Sequence, residues 1–238
     1  MVRLSVNINK IALIRNSRGA NYPNLLTIAQ DCEEFGAQGI TVHPRPDQRH
    51  IRYDDIAPLK EVVTTEFNIE GYPSDDFMDL VLKNKPHQCT LVPDLPSALT
   101  SDNGWDTVNN KAFLKPIIHK LQDAGIRVSL FIDPIAERLI AAKELGADRI
   151  EFYTGPYAHD FLIDKVKAVQ PFAEAAQLCH ELNLGINAGH DLNLDNLKFF
   201  KKSVPYLEEV SIGHALVCDS LYLGLKNTLQ MYLRCLVD

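Results

Sequence analysis

GITVHPRPDQRHI, residues 39–51, passes from an apolar run to a cluster of cations with no spacer. Gly39 to Val42 reads as a short buried strand. His43, Arg45, Arg49 and His50 then follow within eight residues. His43 and Arg45 each precede a proline, Pro44 and Pro46, which holds both near extended backbone angles while the proline rings fix their own φ. The loop is therefore stiff. Imidazoles and guanidiniums on a stiff loop at a strand end suit an anionic ligand that also needs protons moved; a solvated turn is the plain alternative.

Working outward, the same strand, loop and helix unit recurs. Residues 3–8 alternate into a first strand ending at Asn7 and Asn9, followed by a basic, turn-rich loop with Lys10, Arg15, Arg18 and Gly19. Pro23 opens an amphipathic helix that stops at Gly36. After residues 39–51, Asp54 to Val63 is helical, Phe67 to Tyr72 is a strand carrying Glu70 at its far end, and Ser74 caps a further helix. His87 to Val92 is a strand closed by Pro93, and a polar loop carries Thr100, Asp102 and Gly104. Lys111 to Ala124 and Pro134 to Leu145 read as helices, each ended by glycine and followed by a strand, Arg127 to Ile132 and Arg149 to Tyr153. Phe161 to Leu182 is a longer helix before LGINAGH, whose strand delivers Asn187 and His190. Asn193 to Phe200 is a short helix, Glu209 to Ile212 the last strand, and Leu216 to Leu236 a closing helix. Eight strands and eight helices in strict alternation imply parallel strands with right-handed crossovers. No linker or low-complexity stretch divides the 238 residues, so the expected fold is one domain, a (β/α)8 TIM barrel spanning 1–238. A doubly wound sheet competes, but no Gly-rich dinucleotide fingerprint follows the first strand.

Composition narrows the chemistry. With 46% hydrophobic and 23% charged residues the chain reads as globular. A formal charge of -7 argues against a nucleic-acid binder, so an anionic substrate has to be held by local cations. Cys32, Cys89, Cys179, Cys218 and Cys235 are odd in number and widely spaced, which suits reduced thiols and neither a disulfide framework nor a zinc site. The amino-terminal residues carry no long apolar region and no later run approaches a membrane span, so a cytoplasmic location is expected.

In a barrel of this kind catalytic groups sit at the C-terminal strand ends. Asn7, His43, Arg45, Glu70, Glu151, Thr154, Asn187, His190, Gly213 and His214 all fall there, whereas the opposite ends show mainly glycines and ordinary turn residues. Glu70 lies in an apolar frame of Phe67, Ile69 and Tyr72, where desolvation raises a carboxyl toward useful acid or base strength; an ion-paired strut for Arg45 is the alternative. Glu151, flanked by Ile150 and Phe152, reads as a strut pointing into the barrel. Gly189-His190 and Gly213-His214 follow strands seven and eight, where such barrels often bind phosphate through backbone N–H groups. Lys10 is the only lysine near a strand end, no HxH or HExxH spacing occurs, and no nucleophile elbow is visible, leaving general acid–base chemistry on phosphorylated small molecules with no metal or cofactor expected.

With these residues assembled, the chain resembles the pyridoxine 5'-phosphate synthase family essentially end to end. The segments that carry the likeness are VNI in the first strand, RNSRG at Arg15 to Gly19, GITVHPRPDQRHI, SLFID at Ser129 to Asp133, INAGH, and IGHA at Ile212 to Ala215. The resemblance implies condensation of 1-deoxy-D-xylulose 5-phosphate with 3-amino-2-oxopropyl phosphate to pyridoxine 5'-phosphate, inorganic phosphate and water. It implies His43 and Glu70 as proton acceptors and His190 as proton donor. It places Arg45, His50 and Thr100 on the deoxyxylulose phosphate, and Asn7, Arg18, Gly213 and His214 on the aminoketone phosphate. Arg18 would reach in from a neighbouring subunit of a homo-octamer. Two positions depart from many members of that family: Asn9-Lys10 stands where they carry Asp-His, and Asp191 where they carry Gly. A carboxylate at Asp191 repels a nearby phosphate unless turned away, for instance as a helix N-cap. Two other readings stay open: an isomerase or lyase using Glu70 and His190 on a single sugar phosphate, and a non-catalytic phosphometabolite sensor.

Overall fold

A computed structural model describes residues 1–94 and 101–237 of the chain. Eight parallel strands close a barrel in chain order. They are β1 (Arg3–Asn7), β2 (Gly39–Val42), β3 (Glu66–Gly71), β4 (Gln88–Leu91), β5 (Arg127–Ile132), β6 (Arg149–Tyr153), β7 (Gly185–Gly189) and β8 (Leu207–Ile212). Leu4 lies opposite Val210 and Val6 opposite Ile212, so β8 returns to β1 and no strand edge is left open. The barrel expected from the alternation is the one formed.

The described residues hold ten helices rather than the expected eight: α1 (Asn9–Asn16), α2 (Leu25–Glu34), α3 (Tyr53–Val62), α4 (Asp75–Asn84), α5 (Lys111–Asp123), α6 (Ala136–Glu144), α7 (Gly155–Glu181), α8 (Leu197–Ser203), α9 (His214–Leu223) and α10 (Leu225–Leu236). The first addition, α1, occupies the segment read as a turn-rich loop. Ala12 and Arg15 face inward one turn apart, and the Arg15 guanidinium binds both Asp55 carboxylate oxygens at 2.7 and 2.8 Å and the His50 carbonyl at 3.2 Å. Arg15 is thus a buried bracket rather than a loop cation. The second addition arises at Gly224, whose φ of +77 breaks the closing helix into α9 and α10.

Other boundaries shift for identifiable reasons. Asn24, one residue after Pro23, caps α2 by accepting the Leu26 and Thr27 amides. Ser74 caps α4 as expected. α7 begins earlier, at Gly155, and bends at Asp164, whose carboxylate accepts the Val166 and Lys167 amides at 3.1 Å and restarts the helix.

Strand alternation sends apolar residues outward and polar ones inward. Leu4, Ile40, Phe67, Leu130, Phe152 and Val210 are fully buried members of one apolar core shared with the helices. Inside the barrel a polar column replaces the usual branched aliphatics: Ser5 bonds Thr41 at 2.7 Å, Asn68 bonds Thr41 at 3.3 Å, Thr90 bonds Asn68 at 3.1 Å and Asn187 bonds Gln88 at 3.4 Å. The N-terminal mouth is not the plain set of turn residues expected. It is closed by ions: Arg3 bridges Glu66 at 3.0 Å and Glu209 at 3.3 Å, Arg127 also binds Glu66, and Arg149 binds Glu208 at 2.5 Å. The floor is sealed electrostatically, which leaves the C-terminal mouth as the polar column's route to solvent. No helix among the described residues is long and apolar enough to cross a membrane.

Candidate active site

The C-terminal mouth gathers the strand-end residues into a continuous arc. His43, at the exit of β2, sets Nδ1 4.0 Å from Glu70 Oε2 near the end of β3. Asn7, ending β1, donates to the same Glu70 oxygen at 3.4 Å. Gly213, after β8, lies so near Asn7 that a Cβ there would come within 3.1 Å of Asn7 Cβ and O. His214 opens α9, and its charge acts on Asp191, which holds His190 Nδ1 at 2.9 Å beyond β7. The expected catalytic trio therefore shares one rim, linked through Asn7, Gly213, His214 and Asp191.

Each neighbour fixes a position. Asn9, the first of the two departing positions, accepts the His43 amide on its side-chain oxygen at 2.9 Å and donates its own backbone N–H to Asn7 Oδ1 at 3.1 Å, so it anchors the loop. His50 accepts the Ile51 amide on Nδ1 at 3.0 Å, which leaves Nε2 as the proton-bearing nitrogen, and its ring meets His43 edge-on with centroids 6.2 Å apart. Arg45 binds Asp94 at 2.5 Å, and Asp94 also accepts the Ser101 hydroxyl at 2.6 Å. Glu70 is consequently not the strut for Arg45; Asp94 is. Sequence reading passed over Asp94, although its place just past β4 was the available signal. A small enclosed cavity lies here, lined by His43, Arg45, Tyr53, Tyr72, Ser74 and Asp94 among others.

Burial and charge set the protonation pattern. Burial pushes the Glu70 carboxyl up to about 8, Asp94 adds to the rise, Arg45 opposes it, and Glu209 raises it further. Burial holds His43 well below the ordinary imidazole value, and Arg45, His50 and Arg49 push the same way. His50 is lowered to about 4 by burial and by Arg45, Arg49 and Lys10. At neutral pH the free protein thus holds a protonated Glu70 beside unprotonated His43 and His50. Glu151 points into the barrel, as expected, but among the described residues it forms no ion pair: its one hydrogen bond there is a long one from Thr90 at 3.5 Å, and burial with Glu70 and Glu209 raises its carboxyl well above the usual range. Glu209 is raised to about 7 by burial and Glu66.

Two expected residues are not among the contacts of this arc, one by its position and one because it is not described. Arg18 is exposed beyond the end of α1, and Thr100 lies outside the described residues. Asp191 is not a helix N-cap: Asn196 holds that position on α8 without a side-chain cap bond, and Asn193 accepts the Asp195 and Asn196 amides in the turn before it. Lys10 is exposed on α1, where its charge reaches His50.

The chain is thus a (β/α)8 barrel with a polar lumen and with titratable groups and cations gathered on its C-terminal rim. Solved barrels match the fold along nearly the whole chain. Phosphoribosyl anthranilate isomerase from Thermotoga maritima aligns with a TM-score of 0.62 at 11% identity, covering 99% of this chain and 98% of its own. Tryptophan synthase from M. tuberculosis aligns with a TM-score of 0.67 at 11% identity over 99% and 94%. At such identities the likeness is one of fold alone. Sequence similarity is far more specific. The model of the family described as pyridoxal phosphate biosynthesis protein PdxJ matches residues 4–238. Proteins named pyridoxine 5'-phosphate synthase are 59% identical in Parabacteroides distasonis, over 99% of both chains, and 59% identical in Cytophaga hutchinsonii, over 98% of both. The chain belongs to the PdxJ family.

Proposed function

We propose that the chain condenses 1-deoxy-D-xylulose 5-phosphate with 3-amino-2-oxopropyl phosphate, forming pyridoxine 5'-phosphate, inorganic phosphate and water. Close full-length relatives carry the synthase name. The single observation that carries the mechanism is the buried pairing of His43 with Glu70, 4.0 Å apart, where burial raises the carboxyl and lowers the imidazole and so favours a protonated acid beside a free base.

Joining an amine to a ketone removes a proton from nitrogen and delivers one to the departing oxygen. The later dehydration, phosphate loss and ring closure repeat that exchange. His43 is ready to accept. Glu70 begins as the donor and, once it has given its proton, becomes the second acceptor, so one buried pair serves successive steps. His190 donates from the opposite side of the mouth. Arg45 and His50 hold the ketose phosphate together with Thr100, the guanidinium exchanging Asp94 for phosphate. Asn7, Gly213 and His214 hold the aminoketone phosphate at the start of α9, where backbone N–H groups point toward an anion. Arg18, exposed and without a side-chain partner among the described residues, reaches the site of a neighbouring copy in a homo-octamer working in the cytoplasm.

The test is substrate omission. Purified protein is incubated with each phosphorylated substrate alone and with both, and the aromatic product is followed by its fluorescence. Product is expected only from the complete mixture. Turnover of one substrate by itself overturns the proposal in favour of an isomerase or lyase, and binding without product in favour of a sensor.

A further inference from the structure

We propose that Asp191 is the positioning residue that keeps His190 supplied as a proton donor. This rests on the reading of His190 as the donor in the condensation. His190 Nδ1 and Asp191 Oδ2 are 2.9 Å apart. A carboxylate can only accept, so the proton on Nδ1 is fixed, and any second proton on the ring has to sit on Nε2, the nitrogen turned away from the carboxylate. The Asp191 carboxyl is itself held below its usual range, chiefly by the His190 hydrogen bond, with His214 acting in the same direction.

The backbone at this corner is built to hold the two side chains together. His190 and Asp191 are consecutive residues at φ of +75 and +41, a conformation that His and Asp tolerate better than most. Thr154 Oγ1 donates to the Gly189 carbonyl at 2.8 Å and the His190 carbonyl at 2.5 Å, the Leu192 amide donates to the His190 carbonyl at 2.5 Å, and Asn196 Nδ2 donates to the Asp191 carbonyl at 3.2 Å. Anchors from β6, α7's entry and α8 therefore over-determine the left-handed pair. The Tyr153 ring packs edge-on to His190, centroids 5.4 Å apart, which limits how the imidazole can turn.

Among the described residues, the charged groups around the corner come from several elements. His214 faces Asp191 from α9; Asp191, Asp102 and Asp133 act on Tyr153 from the surrounding loops. Asp133 is engaged by Arg138 at 2.5 Å, and Glu151 lies against Gly189 from inside the barrel. Asp191 alone makes a direct hydrogen bond to His190 among these acids. It is also half-exposed, so water screens part of its effect.

The experiment compares kcat and KM across pH in Asp191→Asn, Asp191→Gly, His190→Asn and the double variant His190→Asn/Asp191→Asn. Asn keeps an acceptor without charge, and Gly relaxes the positive φ, so neither is expected to disturb the fold. In both Asp191 variants kcat is expected to fall about tenfold. Both KM values stay within about twofold, as for a loss confined to the reacting state. In the His190→Asn background the Asp191 change should add nothing, because its effect runs through the imidazole. A wild-type kcat in Asp191→Asn, or the same proportional loss with His190 already absent, overturns the assignment. If His190→Asn retains full turnover, it is the donor role itself that fails.

Discussion

Replacing Glu70 with Gln stabilises the protein against unfolding by an amount that grows with pH. Folding raises the Glu70 carboxyl from 4.5 to about 8, chiefly by burial. Across that window the native state binds more protons than the unfolded chain, so stability linked to this group is complete below pH 4.5 and is lost as pH rises through about 8. Glutamine copies the shape of the protonated acid and cannot ionise. At about 1.4 kcal/mol per pK unit, wild type should lose roughly 4 kcal/mol relative to the variant between about pH 5 and pH 9, as an upper figure. Denaturant midpoints of the two proteins at pH 5, 7 and 9, at one protein concentration, measure the gap. Trp105 is the single tryptophan, buried and stacked on Tyr72 with centroids 6.0 Å apart, and it reports unfolding from beside the site. A gap that stays constant with pH, or that narrows as pH rises, refutes the claim that Glu70 is protonated at rest. The same substitution should lower turnover by about 10²- to 10⁴-fold while the fold is retained.

Arg45→Ala should weaken binding of the ketose phosphate more than that of the aminoketone phosphate, read from the two KM values; equal losses would argue against the substrate assignment. Arg15→Ala should destabilise the protein by about 3 to 5 kcal/mol, because it strands the Asp55 carboxylate that Arg15 binds through two hydrogen bonds. Chemical denaturation checks this, and wild-type stability would mean that Arg15 is the solvated loop cation its sequence context suggests.

The barrel was legible because its signal is periodic and repeated: strand, glycine or proline, amphipathic helix. What broke the period was hidden. In α1 a buried position is filled by Arg15, whose partner Asp55 lies 40 residues away, so the helix looked like a charged loop. Gly224 within a leucine-rich run looked tolerable until its positive φ split the helix. The ionic floor escaped notice because Arg3, Glu66, Arg127 and Glu209 come from four strands and only closure brings them together. The site behaved similarly. Placement at strand ends marked His43, Glu70, His190, Asn7, Gly213 and His214, since that depends only on strand boundaries. Partnerships did not follow from placement. An ion pair of Arg45 with Glu70 stood as the alternative to an acid–base role for Glu70, and the closed barrel gives Arg45 Asp94 instead. The protonation of Glu70 beside His43 depends on burial from every side, which no local stretch encodes.

The most direct measurement is phosphorus NMR of the protein turning over an equimolar mixture of the two phosphorylated substrates. Both substrate resonances should decline together while pyridoxine 5'-phosphate and free phosphate rise in equal amounts, and Glu70→Gln protein should leave the spectrum nearly unchanged over the same time. Loss of one substrate without the other, or full turnover by the Glu70→Gln protein, would contradict the account.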